Sequence, residues 1–225
     1  MRVVSVSPRR RQLCAIGFDC PSDELPVGEE LPAGRRFDQD GLLLLDRATA
    51  EEAGLAPGRE LSGEELFDLI GRSDFSRARS RALWLLGSRD YASAELCRKL
   101  AAEFGEKAAG SAVRRMEELG LIDDEVYAAR LAERLLCGKK VSARDAVYQM
   151  TSRGISRETA ESAVEAISPD PAVQLRALIE QKYIRSLSDE KGVRRVTAAL
   201  ARRGFSYSDI RAALRPYVSE EQEEW

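Results

Sequence analysis

Histidine is absent from the 225-residue chain. That removes the commonest general base and the commonest metal-binding side chain together. The four cysteines, Cys14, Cys20, Cys97 and Cys137, show no metal-binding spacing. Each reads as a small buried hydrophobe, and no zinc site or other metal site is expected. Four cysteines in a chain of this size do not make a disulfide framework, so a reducing, cytoplasmic setting is expected. No apolar run approaches the roughly 20 residues of a membrane helix; Leu42–Leu45, for example, is strand-sized. Arg9–Arg11 are not followed by the apolar core of a secretion signal. There is no glycine-rich phosphate loop with its lysine and no nucleophile elbow. An enzyme therefore has no residues to carry it, and neither catalytic groups nor a cofactor are expected. Asp123–Asp124 suit a helix N-terminus, where carboxylates meet free amides, better than a metal site.

Aromatic residues are also scarce, at 6%. Trp84, Tyr91, Phe104, Tyr127, Tyr148, Tyr183, Phe205 and Tyr217 mostly sit at helical spacing with leucines. They read as core in preference to stacking platforms for bases.

What is present is charge, at 32%, and apolar residues, at 44%, which suffice for a packed core. The net charge of −3 hides an uneven distribution. Residues 1–75 hold 9 basic and 15 acidic residues, and residues 76–218 hold 26 and 19. The last seven residues add four acids. A basic body thus lies between acidic ends.

Residues up to about Leu61 hold most of the prolines and read as short strands at Val3–Val6, Gln12–Phe18 and Gly41–Asp46. Asp19–Asp40 reads as an irregular loop. Ser62 and Glu65 have capping-box spacing and open a short helix, Gly63–Ile70. From Ser76 the apolar residues recur at three and four, as in Leu96, Leu100 and Phe104.

A repeat organises this helical part. Gly105, Gly154 and Gly204 each follow a helical run and lie 49 and 50 residues apart. A glycine there suits the left-handed residue that ends a helix. Ile155–Ser156 and Phe205–Ser206 then supply an apolar staple and an N-cap. The expected architecture is mainly α: an elongated, curved array of three tandem three-helix repeats behind a small β-containing segment. The divisions are 1–75, 76–122, 123–170 and 171–225, the last including the acidic tail. The first and third repeats are basic, with 9 against 6 and, over residues 171–218, 10 against 4 charges, whereas the middle one is acidic, with 7 against 9. Arg98, Lys99, Arg114 and Arg115 are the candidate contacts of the first repeat. Lys139 and Lys140 serve the second, and Arg194, Arg195, Arg202 and Arg203 the third. Such cations suit phosphate or carboxylate partners.

The run Leu119-Gly120-Leu121-Ile122-Asp123-Asp124, followed by Tyr127-Ala128, resembles the most recognisable signature of the RecX family. Arg81-Ala82-Leu83, Leu86, Arg89, Ser93–Leu96 and Lys99-Leu100 match its first repeat. Arg153-Gly154-Ile155 and Arg203-Gly204-Phe205-Ser206 match the endings of the second and third. Gly58–Leu66 is like the N-terminal segment of many members. Cys137–Ser142 stands where members often carry a Lys-Gly-x-Gly run, and Asp19–Asp40 is longer than the usual connection. The resemblance implies a non-catalytic regulator in DNA repair, homologous recombination and the SOS response. Such a protein binds the RecA–DNA filament in its groove and restrains ATP hydrolysis, strand exchange and coprotease activity. It implies a RecA filament as partner, single-stranded or duplex DNA bound weakly alone, no membrane, and a monomer. Two rival readings stay open: a stand-alone helical DNA-binding module, which predicts sequence-selective duplex binding without RecA, and an adaptor for another protein.

Overall fold

The computed structural model describes residues 1–25 and 36–218. Part of the predicted loop and the acidic tail lie outside them. The chain divides into two compact units, residues 1–122 and 123–225.

In the first unit, β1 (Val3–Arg9), β2 (Leu13–Phe18) and β3 (Leu43–Asp46) form an antiparallel sheet in that order. The register pairs Val6 with Ile16 and Cys14 with Leu45. Val3, Ile16, Leu43 and Leu45 are buried together with Leu66, Leu69 and Ile70 of the following long helix. A short helix that the sequence did not announce, α1 (Arg47–Glu52), leaves β3 directly. Asp46 caps it by accepting from the Thr49 amide at 3.2 Å.

The capping box at Ser62 forms as expected. The Glu65 amide donates to Ser62 Oγ at 3.1 Å, and the Ser62 amide donates to Glu65 Oε2 at 2.8 Å. The helix it opens does not end at Ile70. It continues as α2 (Gly63–Leu86) into the first repeat. Just beyond the expected end, Gly71, Ser73 and Asp74 lie within the helix, and Ser73 and Asp74 are buried. Ser73 Oγ accepts from the Asp46 amide at the end of β3, at 2.7 Å. Asp74 pairs with Arg36 at 3.4 Å and with Arg77 at 3.7 Å. Two polar side chains that look like punctuation are the points where the β segment is fastened to the helix.

Burial holds the Asp74 carboxyl above the ordinary aspartate range, against the opposing pull of Arg36 and Arg77. The fold therefore favours the protonated form. Asp74's contribution to stability is largest in acid and is lost as pH rises from the unfolded value near 3.8 through the folded value. An Asp74→Asn variant, compared with wild type by urea unfolding across pH 3 to 7, is expected to gain ground as pH rises through that window. An Asn variant that loses ground would show that the ion pairs outweigh burial.

The first repeat is completed by α3 (Ser93–Phe104) and α4 (Glu106–Glu118). Ala78 and Ala82 of α2 and Ala109 and Ala112 of α4 are wholly buried, as are Leu96, Leu100 and Met116. The small alanines allow close helix approach. Each buried leucine contributes roughly 2 kcal/mol of transfer free energy.

The second unit contains α5 (Asp124–Glu133), α6 (Ala143–Thr151), α7 (Arg157–Ile167), α8 (Pro171–Leu178), α9 (Glu190–Ala201) and α10 (Tyr207–Leu214). Asp123 caps α5, accepting from the Val126 amide at 2.9 Å. Ser156 and Ser206 cap α7 and α10 at 3.0 and 3.1 Å. Gly105, Gly154 and Gly204 have φ of +82°, +91° and +85°, so all three turns use a backbone that favours glycine. Gly105 departs from the expected left-handed end, because its ψ is 160° and it both ends α3 and opens α4. The sequence did not announce that α5 and α8 both run on into a π-helical turn, at Arg134–Gly138 and Ile179–Tyr183. Each turn buries residues at neighbouring positions, Leu135–Leu136 in one and Leu178–Ile179 at the entry to the other. The wider turn brings consecutive apolar side chains to one side.

Candidate partner-binding face

The third repeat's basic residues are set by the periodicity of α9. Val193, Val196 and Leu200 are buried. The opposite stripe, Lys191, Arg194, Arg195 and Arg202, is exposed. Spacings of three, four and seven place these cations on one helix face. Arg194 pairs with Glu190 one turn away. Among the described residues, Lys191, Arg195 and Arg202 make no ion pair. Lys191 was not among the sequence candidates, although its position three residues before Arg194 was the available signal.

Arg203 behaves differently from its neighbour. Its guanidinium donates to the Lys139 carbonyl, while its own carbonyl accepts from the Ser142 amide at 2.9 Å. Lys140, in a left-handed conformation with φ +53°, reaches Gln181 Oε1 at 3.1 Å. Gln174 Nε2, in α8, donates to the buried Leu136 carbonyl at 3.0 Å. Arg203, Lys139 and Lys140 thus meet where the second and third repeats join. At Arg203 the guanidinium is committed to holding that joint.

The joint also explains why residue 204 is glycine. A Cβ there would lie 2.4 Å from Ser142 Oγ and 2.6 Å from Asp145 Cβ. The turn that ends α9 therefore presses against the first turn of α6.

In the first unit, Arg98, Lys99, Arg114 and Arg115 are all exposed. Arg98 Nε donates to the Ala94 carbonyl at 3.3 Å, and Lys99 lies 6.0 Å from the Tyr91 ring. Arg115 pairs with Glu118 at 2.8 Å, whereas Arg114 makes no ion pair among the described residues. They stand as one adjacent pair on α3 and one on α4, without the single stripe that α9 carries.

The aromatics divide. Tyr91, Tyr127 and Phe205 are core, as expected. Phe104, Tyr183 and Tyr217 are only partly covered. Trp84 and Tyr148 are not core: they are 65% and 70% exposed, and so is Tyr207 at 68%. Helical spacing with leucines misled here because Trp84 falls between the buried Ala82 and Leu85, on the outer side of α2.

The cysteines are not uniformly buried as expected: Cys14 is buried, Cys20 and Cys97 are intermediate, and Cys137, in the π-helical turn that follows α5, is exposed. Burial, with Glu106 and Glu117 nearby, pushes the Cys97 thiol up, which makes it a poor nucleophile at neutral pH. Among the described residues no cluster of His, Cys, Asp and Glu fits a metal ion. No helix there is long and apolar enough to cross a membrane.

These features define a helical-repeat protein whose end repeats present cations on outer helix faces. A model of the RecX third three-helix domain matches residues 172–214, which include α9 and its basic stripe. The regulatory protein RecX of Trichlorobacter lovleyi is 32% identical over 137 residues, covering 58% of this chain and 88% of that protein. The regulatory protein RecX of Caldanaerobacter subterraneus subsp. tengcongensis is 26% identical over 181 residues, covering 79% and 89%. A crystal structure of a regulatory protein RecX superposes with a TM-score of 0.57 at 16% identity, covering 95% of this chain and 98% of that one. RecX from Lactobacillus salivarius gives 0.54 at 20% identity, over 64% and 96%. The chain belongs to the RecX family, whose matched members are named regulatory proteins.

Proposed function

We propose that the chain is a non-catalytic regulator that binds the RecA–DNA filament and restrains its ATP hydrolysis, strand exchange and coprotease activity. The observation that carries this reading is the exposed cationic stripe of α9 inside the segment matched as a RecX third domain. Its members stand about one and two helical turns apart, so they meet a line of anionic groups and not a single one. Phosphates of filament-bound DNA and carboxylates on the filament surface both have that character. Arg98, Lys99, Arg114 and Arg115 add a second set of cations on the first repeat, and Lys139 lies at the joint that Arg203 closes. The acidic first 75 residues and acidic last seven residues limit indiscriminate attraction to nucleic acid.

Co-sedimentation tests this reading. The chain is mixed with filaments of its own RecA on single-stranded DNA, with the same DNA alone, and with RecA alone. Pelleting with the filament in excess of the DNA-only control is expected. Equal recovery from bare DNA would favour a stand-alone DNA-binding module, and recovery with neither would overturn the proposal.

A further inference from the structure

The first unit contains a cleft of about 780 Å³ between the tip of the β1–β2 hairpin, the C-terminal half of α2 and the end of α3. That lies within the range of roughly 300–1,000 Å³ typical of ligand sites. Trp84 lies on its wall, 65% exposed. An indole left this open forgoes the burial for which tryptophan is ordinarily used.

Cations surround that ring. Arg81 lies over the indole, 4.5 Å from its centroid. Arg77, also lining the cleft, stacks 5.4 Å from the Phe104 centroid. Arg11 enters from the hairpin tip and makes no ion pair among the described residues. The cleft's two acids are already engaged. Asp46 caps α1, and Glu103 faces Arg81 at a long 3.5 Å. Arg81 Nε is shielded from water, yet completes no hydrogen bond. Arg11 and Gln12 both adopt φ +59°. Positions with that backbone ordinarily take glycine or asparagine. Two residues with side chains cost roughly 1 kcal/mol each there. The strain places a long cation at the mouth of the cleft.

We infer that this cleft binds single-stranded nucleic acid, with a base stacked on Trp84 and its phosphate met by Arg11. Arg81 backs one face of the indole, and the exposed remainder of the ring receives the base, giving a guanidinium–indole–base stack. Single strands fit this chemistry because their bases are free to stack, whereas those of a duplex are already stacked on one another. The site shares no residue with the α9 stripe and does not rest on the filament reading.

The test uses the full chain with Trp225→Phe, which leaves Trp84 as the sole indole. Oligothymidylate is expected to quench its fluorescence saturably. The affinity, read separately by anisotropy of labelled oligonucleotide, is expected to fall about tenfold in Trp84→Leu, to recover largely in Trp84→Phe, and to fall in Arg11→Glu. Trp84 is exposed, so these variants keep the fold, as circular dichroism would verify. Binding without quenching, or a Trp84→Leu variant that binds as well as its parent, would overturn the inference. So would quenching by polyglutamate as strong as that by the oligonucleotide, which would assign the cleft to an acidic protein segment. Thymidine monophosphate binding as tightly as the oligonucleotide would assign it to a free nucleotide instead.

Discussion

Replacing Gly204 with alanine is expected to destabilise the protein by about 3 kcal/mol, while the same change at Gly120 costs about 1 kcal/mol. Both glycines have positive φ, +85° and +67°, so both variants carry the strain of a Cβ in the left-handed region. Only one meets an obstacle. Around Gly120 nothing lies within 4 Å of the added atom, whereas at Gly204 it would stand 2.4 Å from Ser142 Oγ and 2.6 Å from Asp145 Cβ. Ser142 cannot simply swing away, because its hydroxyl caps α6 by accepting from the Asp145 amide at 3.1 Å. Either the cap is lost or the two repeats separate, and separation breaks the Ser142–Arg203 backbone bond as well. Urea unfolding of both variants isolates the contact from the shared backbone strain. Equal costs would mean that the glycine serves its own helix end and that the joint is not tight.

The largest functional effect is expected from reversing the stripe on α9. Arg194→Glu, Arg195→Glu and Arg202→Glu together should weaken filament binding by on the order of 100-fold at moderate salt, with a shallower salt dependence for what remains. All three residues are exposed, so helical content should not change. Arg203 stays intact in this design. Its guanidinium holds the Lys139 carbonyl, so changing it would mix loss of the joint with loss of charge. Filament binding that survives the triple reversal would move the contact off the third repeat, and Arg114 would be the next residue to reverse.

Much of this was legible because the repeat leaves marks that local chemistry enforces. Only glycine takes the left-handed turn without strain, and only a short polar side chain caps the next helix, so Gly154–Ile155–Ser156 and Gly204–Phe205–Ser206 could be read directly. The strands were legible from alternating and apolar runs bounded by turns. What escaped depended on partners far along the chain. Ser73 and Asp74 look like a helix break until Asp46 and Arg36 are known to meet them. The π-helical turns carry no local signal beyond paired apolar residues.

The candidate site divides in the same way. Charge and periodicity put Arg194, Arg195 and Arg202 on one face. Nothing in the sequence separates Arg202 from Arg203, because their difference lies in a carbonyl 64 positions away. Trp84 was assigned to the core on its helical spacing with leucines. Its exposure follows from its place between the buried Ala82 and Leu85, on the outer side of α2.

The central claim, regulation of a RecA filament, is tested most directly by the steady-state rate of single-stranded-DNA-dependent ATP hydrolysis by the cognate RecA as this chain is titrated in. The account predicts that the rate falls as the chain approaches stoichiometry with RecA, and that the triple α9 variant needs far more protein for the same effect. A rate that stays unchanged at stoichiometric amounts would contradict it.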